Sequence, residues 1–441
     1  MKRFTLVLFP LAAAAALAAW YSNSATAPAG SLFSDGPGLL LAFGRLAGIT
    51  GALGVLAQLL LVSRASWLEP FVGLDRLTRW HHVFGLVVPL ALLVHPPLIV
   101  WHHALQNGSG FIAQYLDVLR WEDVLAAAAG EALILLAVFL SLPFTRRRLG
   151  YETWHTVHLG AYIGLALSIG HQLELGGDIN AESRLFAGDW YLILSFVTAN
   201  LLWFRLLKPL WLYRRHRFTV AATRMETDSV MSVQLEGREL DNFSVEAGQF
   251  ALLRFWAPYF RWQAHPFSFS REPGGGLRFS IKKLGDFTAR LHAGLKPGTP
   301  VILDGPYGVF TAARMRRRKA LLVAGGIGIT PLRALAGQLT AEGEDCILVY
   351  ANRRRSDIVF ADELAALEKA GLKVVHVLAD EPGWTGEKGV VDAAMLARLA
   401  PDFAGRDAFL CGPPPMMAAL RRGLKAAGMP EENIHYEAFS L

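Results

Sequence analysis

The residues best suited to chemistry in this 441-residue chain are histidines embedded in apolar surroundings. Eight of the 13 histidines precede Tyr213: His81, His82, His95, His102, His103, His155, His158 and His171. Ionisable groups at membrane depth are costly and as a rule functional. Neutral imidazole is a good ligand for haem iron, and two imidazoles on one iron make a low-spin electron-transfer centre. His81 and His95 lie 14 residues apart, a rise of about 21 Å along a helix that returns to within about 40° of the same face. Ligands stacked in that way suit two haems, one per leaflet. His158 and His171, 13 residues apart, land about 140° from one another by the same arithmetic. His82 and His155 compete with His81 and His158 for the inner positions. His102 and His103 fall at the outer interface, where solvated histidines need no special role. Four histidines paired between two parallel spans favour haem over hydrogen bonding across a bundle.

A second group of chemically informative residues lies after residue 218. His265-Pro266-Phe267-Ser268-Phe269-Ser270 closes a strand. Ile281-Lys282-Lys283-Leu284-Gly285-Asp286-Phe287-Thr288 opens a helix whose free amides, with the Thr288 hydroxyl, are suited to a pyrophosphate. Asp304-Gly305-Pro306-Tyr307-Gly308 ends the strand-rich region. Gly325-Gly326-Ile327-Gly328-Ile329-Thr330-Pro331 lets backbone approach a second pyrophosphate at another helix N-terminus. Leu410-Cys411-Gly412-Pro413-Pro414-Pro415-Met416 follows a later strand, and the sequence ends Glu437-Ala438-Phe439-Ser440-Leu441. One glycine loop would be a weak signal; five elements in this order are specific.

These residues need two kinds of support. Overall, 53% of residues are hydrophobic and only 18% charged, against about 25% charged in soluble domains. The 26 Phe and 12 Trp exclude disorder, and two cysteines exclude a disulfide framework. The charge is uneven: 13 Lys+Arg and 12 Asp+Glu through Tyr213, against 30 and 25 afterwards. Runs at Phe4–Trp20, Leu39–Val62, Val83–Trp101, Val124–Phe144, Tyr151–Ile169 and Trp190–Leu207 each approach the roughly 20 residues that cross a bilayer. Six spans are expected, with the first read as uncleaved despite a signal-like Ala25-Thr26-Ala27 that Pro28 disfavours as a cleavage site. Basic residues crowd one set of loops (Lys2, Arg3, Arg64, Arg76, Arg79, Arg146, Arg147, Arg148 and the stretch from Arg205 to Arg217). The opposite loops hold Arg120 and Arg184. This places both termini in the cytoplasm. Arg45, early in the second span, either pairs with a haem propionate or reaches to the outer surface.

Beyond span six, alternating strands at Phe218–Thr223, Val230–Leu235, Phe250–Phe255, Leu277–Lys283 and Pro300–Leu303 predict a small antiparallel barrel. Strands and helices then alternate, which predicts a parallel sheet with a nucleotide at its carboxyl edge. The expected architecture is therefore a multi-domain membrane protein: a six-helix transmembrane bundle over 1–213, an antiparallel β-barrel over 214–313 and an α/β parallel-sheet domain over 314–441.

The motif order over 218–441 resembles the ferredoxin–NADP reductase superfamily. Joined to six spans with paired histidines, nearly the whole chain resembles the ferric reductase-like transmembrane family, which includes the NADPH oxidases. The resemblance implies FAD, two b-type haems and NADPH or NADH as cofactors. It implies electron transfer from cytoplasmic NAD(P)H to an extracytoplasmic ferric chelate or molecular oxygen, in the inner or plasma membrane. His265, Pro266, Phe267 and Ser268 match the flavin motif that also contains Ser270, with Ser268 near flavin N5. Gly285 and Thr288, beside Lys282, would hold the FAD pyrophosphate. Gly326, Gly328, Thr330 and Pro331 would hold that of the nicotinamide nucleotide. Cys411 and Gly412 would lie beside the nicotinamide and Phe439 over the flavin ring, which makes Ser268, Cys411 and Phe439 the catalytic set. His81, His95, His158 and His171 match the iron ligands, and Arg45 a span-two arginine near the outer haem. Ile99 stands where animal-type oxidases carry a further histidine, which weakens the case for dedicated superoxide production. Arg353 and Arg354 favour NADPH, since arginine suits an adenosine 2′-phosphate. Lipid and a small-molecule acceptor are the expected partners, with no nucleic acid. The rival expectation is a membrane-anchored flavin reductase serving a protein partner.

Overall fold

The computed structural model describes residues 2–27, 30–179, 184–271 and 276–437. It divides into two compact units, Met1–Leu68 with Arg76–Trp203, and Glu69–Asp75 with Phe204–Leu441.

The first unit is helical. Its elements are α1 (Lys2–Ala25), α2 (Gly36–Val62), the single turn α3 (Glu69–Val72, assigned to the second unit), α4 (Leu74–Asn107), α5 (Phe111–Val118), α6 (Val124–Ser141), the turn α7 (Pro143–Arg146), α8 (Tyr151–Glu174) and α9 (Leu185–Leu201). Leucine- and alanine-rich runs make these strong helix formers. α2 begins at Asp35, whose carboxylate accepts the Gly38 amide at 2.6 Å, with Pro37 in the first turn. Among the described residues, five helical stretches are long and apolar enough to cross a membrane: Val7–Ala25, Gly36–Val62, Leu74–Asn107, Val124–Ser141 and Leu185–His216. The expected count was six. The missing member is α8, 24 residues long, whose three histidines and two glutamates lower its hydropathy.

Small residues let these helices approach. A Cβ on Gly130 of α6 would strike the Gly164 carbonyl of α8, and one on Gly164 would strike the Gly130 carbonyl. Gly44, Gly48, Gly51 and Gly54 of α2 instead make room for α4 side chains, Ile99, His95, Leu92 and Val88. Close backbone contact over small residues is how helices associate where lipid removes the hydrophobic driving force. The outward side of α4 exposes Val83, Phe84, Val87, Leu90 and Val94, the surface expected to face hydrocarbon.

α9 runs through a π-helical turn, Leu202–Leu207, into α10 (Lys208–His216). Pro209 has no amide to give a carbonyl in that turn, which loosens the ladder there. Two three-stranded antiparallel sheets follow. One has the order β1 (Thr219–Thr227), β2 (Val230–Glu236), β5 (Leu277–Lys282); the other β4 (His265–Ser268), β3 (Phe250–Phe255), β6 (Val301–Tyr307). Isolated bridges at Thr219–Pro300 and Phe269–Phe279 are the β-pairings between them. The expected barrel is therefore not closed by a continuous ladder. Pro266 in β4 and Pro306 in β6 each lack a donor, and proline belongs on strands whose amide edge is unpaired. α11 (Asp286–Gly294) lies between β5 and β6.

The last part is a six-stranded parallel sheet of order β10-β9-β8-β7-β11-β12. Its strands are β7 (Lys319–Gly325), β8 (Asp345–Asn352), β9 (Lys373–Leu378), β10 (Glu387–Lys388), β11 (Asp407–Cys411) and β12 (Ile434–Glu437). Its helices are α12 (Ile329–Ala341), α13 (Ala361–Lys369), α14 (Ala393–Leu399) and α15 (Pro414–Ala426). Both faces are covered: Leu322, Ala324 and Leu348 pack to one side with Leu332 and Leu335 of α12, while Leu321, Val323 and Val349 pack to the other with Leu420 and Leu424 of α15. That accounts for the near-continuous apolar strands.

An ion-pair node joins the antiparallel sheets to this domain. Arg278 of β5 holds Glu363 of α13 through both guanidinium nitrogens, one of them at 3.0 Å, and lies 4.4 Å over the Phe360 ring. Arg333 of α12 reaches the same carboxylate at 2.6 Å. Burial pushes the Glu363 carboxyl up, but the Arg278 hydrogen bonds and the Arg333 charge outweigh it and hold it below its ordinary value.

Candidate functional site

The first unit brings the four expected histidines together in two pairs. His81 of α4 faces His158 of α8 with ring centroids 6.0 Å apart, and His95 faces His171 at 6.1 Å. The 13-residue spacing on α8 thus reaches both partners despite its poor projection on a straight helix. His82 is exposed and His155 stands beside Trp154. His102 and His103 adjoin one another and Trp121.

The hydrogen bonds around the pairs carry chemical information. His81 Nδ1 lies 3.3 Å from the Gln58 carbonyl, and His95 Nδ1 2.8 Å from the Gly44 carbonyl. A carbonyl only accepts, so each Nδ1 carries the proton and each Nε2 keeps its lone pair. His158 Nδ1 lies 3.1 Å from Ser141 Oγ. His171 Nδ1 is buried without a partner among the described residues. A metal–imidazole bond of about 2.0 Å on each side of one ion, plus roughly 1 Å from nitrogen to ring centre, accounts for a separation near 6 Å. Gly48 is required here, because a Cβ would come within 2.9 Å of His95 Nδ1. Near the first pair, both side-chain polar atoms of buried Gln58 also lack a partner among the described residues. These donors fit two bis-imidazole haem sites, and no group of three His, Cys, Asp or Glu converges elsewhere among the described residues.

A cavity of about 400 Å³ opens at the second pair, lined by Arg45, Gly48, His95, Glu131, His171 and Asp178 among others. Arg45 is held by Asp178, with Nε at 2.8 Å and a terminal nitrogen at 2.6 Å. Asn23 donates to the same carboxylate at 3.0 Å. The guanidinium is thus fixed at the cavity wall rather than extended into solvent.

In the second unit β4 carries His265, Pro266, Phe267 and Ser268 in sequence. Ser268 is buried and its Oγ has no partner among the described residues, an orphan polar atom of the kind a bound flavin would satisfy. Ser270 is buried in a hydroxyl cluster, 3.1 Å from Ser280 Oγ, and receives Arg278 Nε at 3.0 Å. His265 packs on Phe287 at 3.9 Å. At the start of α11 the Thr288 hydroxyl accepts the Leu284 and Gly285 amides at 2.9 and 3.1 Å and donates to the Gly285 carbonyl at 3.0 Å. Thr288 therefore shapes the loop, and Gly285 is exposed with nothing within 4 Å of a Cβ position.

The strand order of the parallel sheet reverses between β7 and β11, the position where open α/β sheets bind nucleotides. Gly326 has φ +53°, and a Cβ on Gly328 would overlap the Cys411 carbonyl. Thr330 donates to the Ile327 carbonyl at 3.0 Å, and Pro331 is buried behind it. Gly412 packs against Gly325, and the Lys282 ammonium lies 3.9 Å from the Gly326 Cβ position. Arg353 and Arg354, after β8, are exposed and both approach Asp380, at 4.0 and 3.2 Å. Phe439 lies outside the described residues.

The sequence reading missed several groups. Cys411 pairs in register with Glu437 of β12, whose Oε2 is buried without a partner among the described residues. Burial, with the charges of Asp75 and Glu69, pushes the Glu437 carboxyl well up, and burial does the same to the Cys411 thiol. Glu69 accepts the Gly308 amide at 2.8 Å. Burial raises its carboxyl despite that bond. Glu437 stood inside the terminal motif and could have been noticed. Nothing in the sequence ties Glu69 to Gly308, 239 residues away.

Three family models match the chain in order: the ferric reductase like transmembrane component over 47–169, an FAD-binding domain over 212–311 and the oxidoreductase NAD-binding domain over 322–422. The ferredoxin reductase component of 3-ketosteroid-9-alpha-monooxygenase from Mycolicibacterium smegmatis is 36% identical over 46% of this chain and 59% of its own length. The glycine betaine monooxygenase reductase subunit of Pseudomonas aeruginosa is 32% identical over 40% of this chain. This chain spans 48% of that subunit's length. Among solved structures, the FAD/NAD-binding domain of nitric oxide dioxygenase from Vibrio cholerae is 26% identical, with a TM-score of 0.45 over 51% of this chain and 98% of its own. The flavohemoglobin of Malassezia yamatoensis is 20% identical, with a TM-score of 0.46 over 91% of this chain and 96% of its own.

Proposed function

Because this chain is an NAD(P)H-dependent oxidoreductase with the architecture of the ferric reductase and NADPH oxidase type, we propose that it moves electrons from cytoplasmic NAD(P)H, by way of FAD and two b-type haems, to an acceptor on the other side of the membrane. The observation that carries this reading is the pair of facing imidazoles at 6.0 and 6.1 Å, with protons fixed on the far nitrogens of His81 and His95. A helical anchor alone gives no reason for two pairs of histidine rings to meet inside an apolar bundle.

The cofactors supply the chemistry: hydride acceptance and one-electron release by the flavin, one-electron exchange by the haem irons. The chain supplies position and insulation. His81 with His158, and His95 with His171, would hold the inner and outer irons, and two centres suit an apolar layer about 30 Å thick. Ser268 offers the flavin a buried hydroxyl, and the open α11 N-terminus at Gly285 suits its pyrophosphate. Gly326 and Gly328 let the second nucleotide approach the α12 N-terminus. Arg353 and Arg354 favour a 2′-phosphate, with Asp380 as the counter-ion it would displace. Arg45, fixed by Asp178 at the cavity wall, would offer a guanidinium to a haem carboxylate. The six-span topology with cytoplasmic termini belongs to the same reading. The acceptor is a ferric chelate or molecular oxygen.

Purified protein should show a reduced b-type Soret and α band with two haems per chain, and a spectrum without them would defeat the relay. The matched monooxygenase reductase components support a second reading, in which the flavin module reduces a protein partner and the helices only anchor it. His95→Leu separates the two. A relay loses one haem and all reduction of extracellular ferric chelate, whereas an anchored reductase keeps its activity toward soluble acceptors and loses nothing else. Superoxide dismutase sensitivity of the reduction then separates oxygen from ferric iron as acceptor.

A further inference from the structure

The inner pair has a built-in support that the ligand set does not include. Ser141, the last residue of α6, lies 2.7 Å from the Ala137 carbonyl, 3.0 Å from Trp154 Nε1 and 3.1 Å from His158 Nδ1. A hydroxyl has one proton and two lone pairs. The shortest contact is to a carbonyl, which only accepts, so the hydroxyl proton goes to Ala137. The indole N–H only donates, so it takes one lone pair. The remaining lone pair faces His158 Nδ1, which must therefore carry its own proton. This leaves Nε2 of His158 unprotonated on the ring that faces His81 at 6.0 Å. The Trp154 ring also lies nearly parallel to the His158 ring, 5.3 Å away and inclined by 25°, with the Arg146 guanidinium 4.5 Å over the indole.

We propose that Ser141 is a positioning residue for the inner haem: with Trp154 it fixes the tautomer, ring plane and basicity of His158. The inference rests on the haem reading above. Outer partners of this kind orient a ligating imidazole and tune its metal. An acceptor on Nδ1–H gives the ring imidazolate character, which favours ferric over ferrous iron. Trp154 donates to the same oxygen, so the indole N–H weakens the bond that His158 Nδ1–H donates to Ser141.

The two side chains therefore predict potential shifts of opposite sign. In the full-length protein in detergent, spectroelectrochemical titration of Ser141→Ala should move one haem potential upward and leave the other in place. Ser141→Thr, which keeps the hydroxyl, should restore it. Trp154→Phe keeps an aromatic ring, removes the competing donor and should move the same potential downward. The low-spin ferric EPR signal of that haem should shift in Ser141→Ala and return in Ser141→Thr. Unchanged potentials in a Ser141→Ala protein with full haem content would overturn the proposal. If that variant takes up no haem, Trp154→Phe decides: a shift upward or no shift overturns it, and a downward shift supports it. Wild-type protein without haem would instead defeat the functional reading itself.

Discussion

At the scale of single residues, the site depends on where protons are kept. Glu437 is the clearest titrating case. Its carboxyl is buried, faces the charges of Asp75 and Glu69, and is pushed well above the ordinary carboxyl value of about 4.5. Above pH 4.5 the native state therefore holds a proton that the unfolded chain releases, so stability falls as pH rises toward the folded value. Glu437→Gln removes that slope. Its melting temperature should match wild type near pH 4 and exceed it increasingly at higher pH, by at most about 1.4 kcal/mol of stability per pH unit. Parallel curves for the two proteins would contradict the assignment. The paired histidines were legible in the sequence because a titratable ring is conspicuous among leucines. Ser141, Asp178 and Glu69 were not, since a serine, an aspartate or a glutamate is ordinary in a loop or at a helix end. Only the fold brings Asp178 to Arg45, 133 residues away.

At the scale of elements, the helices were found by apolar length and the nucleotide sheet by strand–helix alternation, so their existence was readable. Two features were not. The polarity that makes α8 chemically useful also removes it from the set of composition-defined spans. The gap between the two antiparallel sheets, bridged at Thr219–Pro300 and Phe269–Phe279, was hidden because alternation locates strands without saying which neighbours they pair with. The α6–α8 crossing gives a testable consequence. Both glycines there exclude a side chain because carbonyl oxygen of the opposite helix already occupies its place. Gly130→Val should separate the helices at a cost of about 1–3 kcal/mol, and α8 carries two of the four histidines. A lower melting temperature with haem bound at less than half the wild-type ratio is expected. Full haem content at an unchanged melting temperature would refute this packing account.

At the scale of the whole molecule, the charge bias makes an orientation prediction that the chain is well suited to test. Its two cysteines, Cys346 and Cys411, are both buried, so an introduced thiol reports alone. Gln106→Cys should react with a membrane-impermeant maleimide on intact cells, and Leu149→Cys only after permeabilisation. The reverse pattern would invert the topology. The Arg278–Glu363–Arg333 node also bears on how such a protein can be taken apart. A fragment ending near residue 313 would leave the Arg278 guanidinium without the carboxylate and the aromatic ring it rests on. A fragment beginning there would leave Glu363 with only one of its two cations. Neither half is a fair sample of the intact redox module, and dissecting this chain by truncation would measure the damage done at that shared carboxylate.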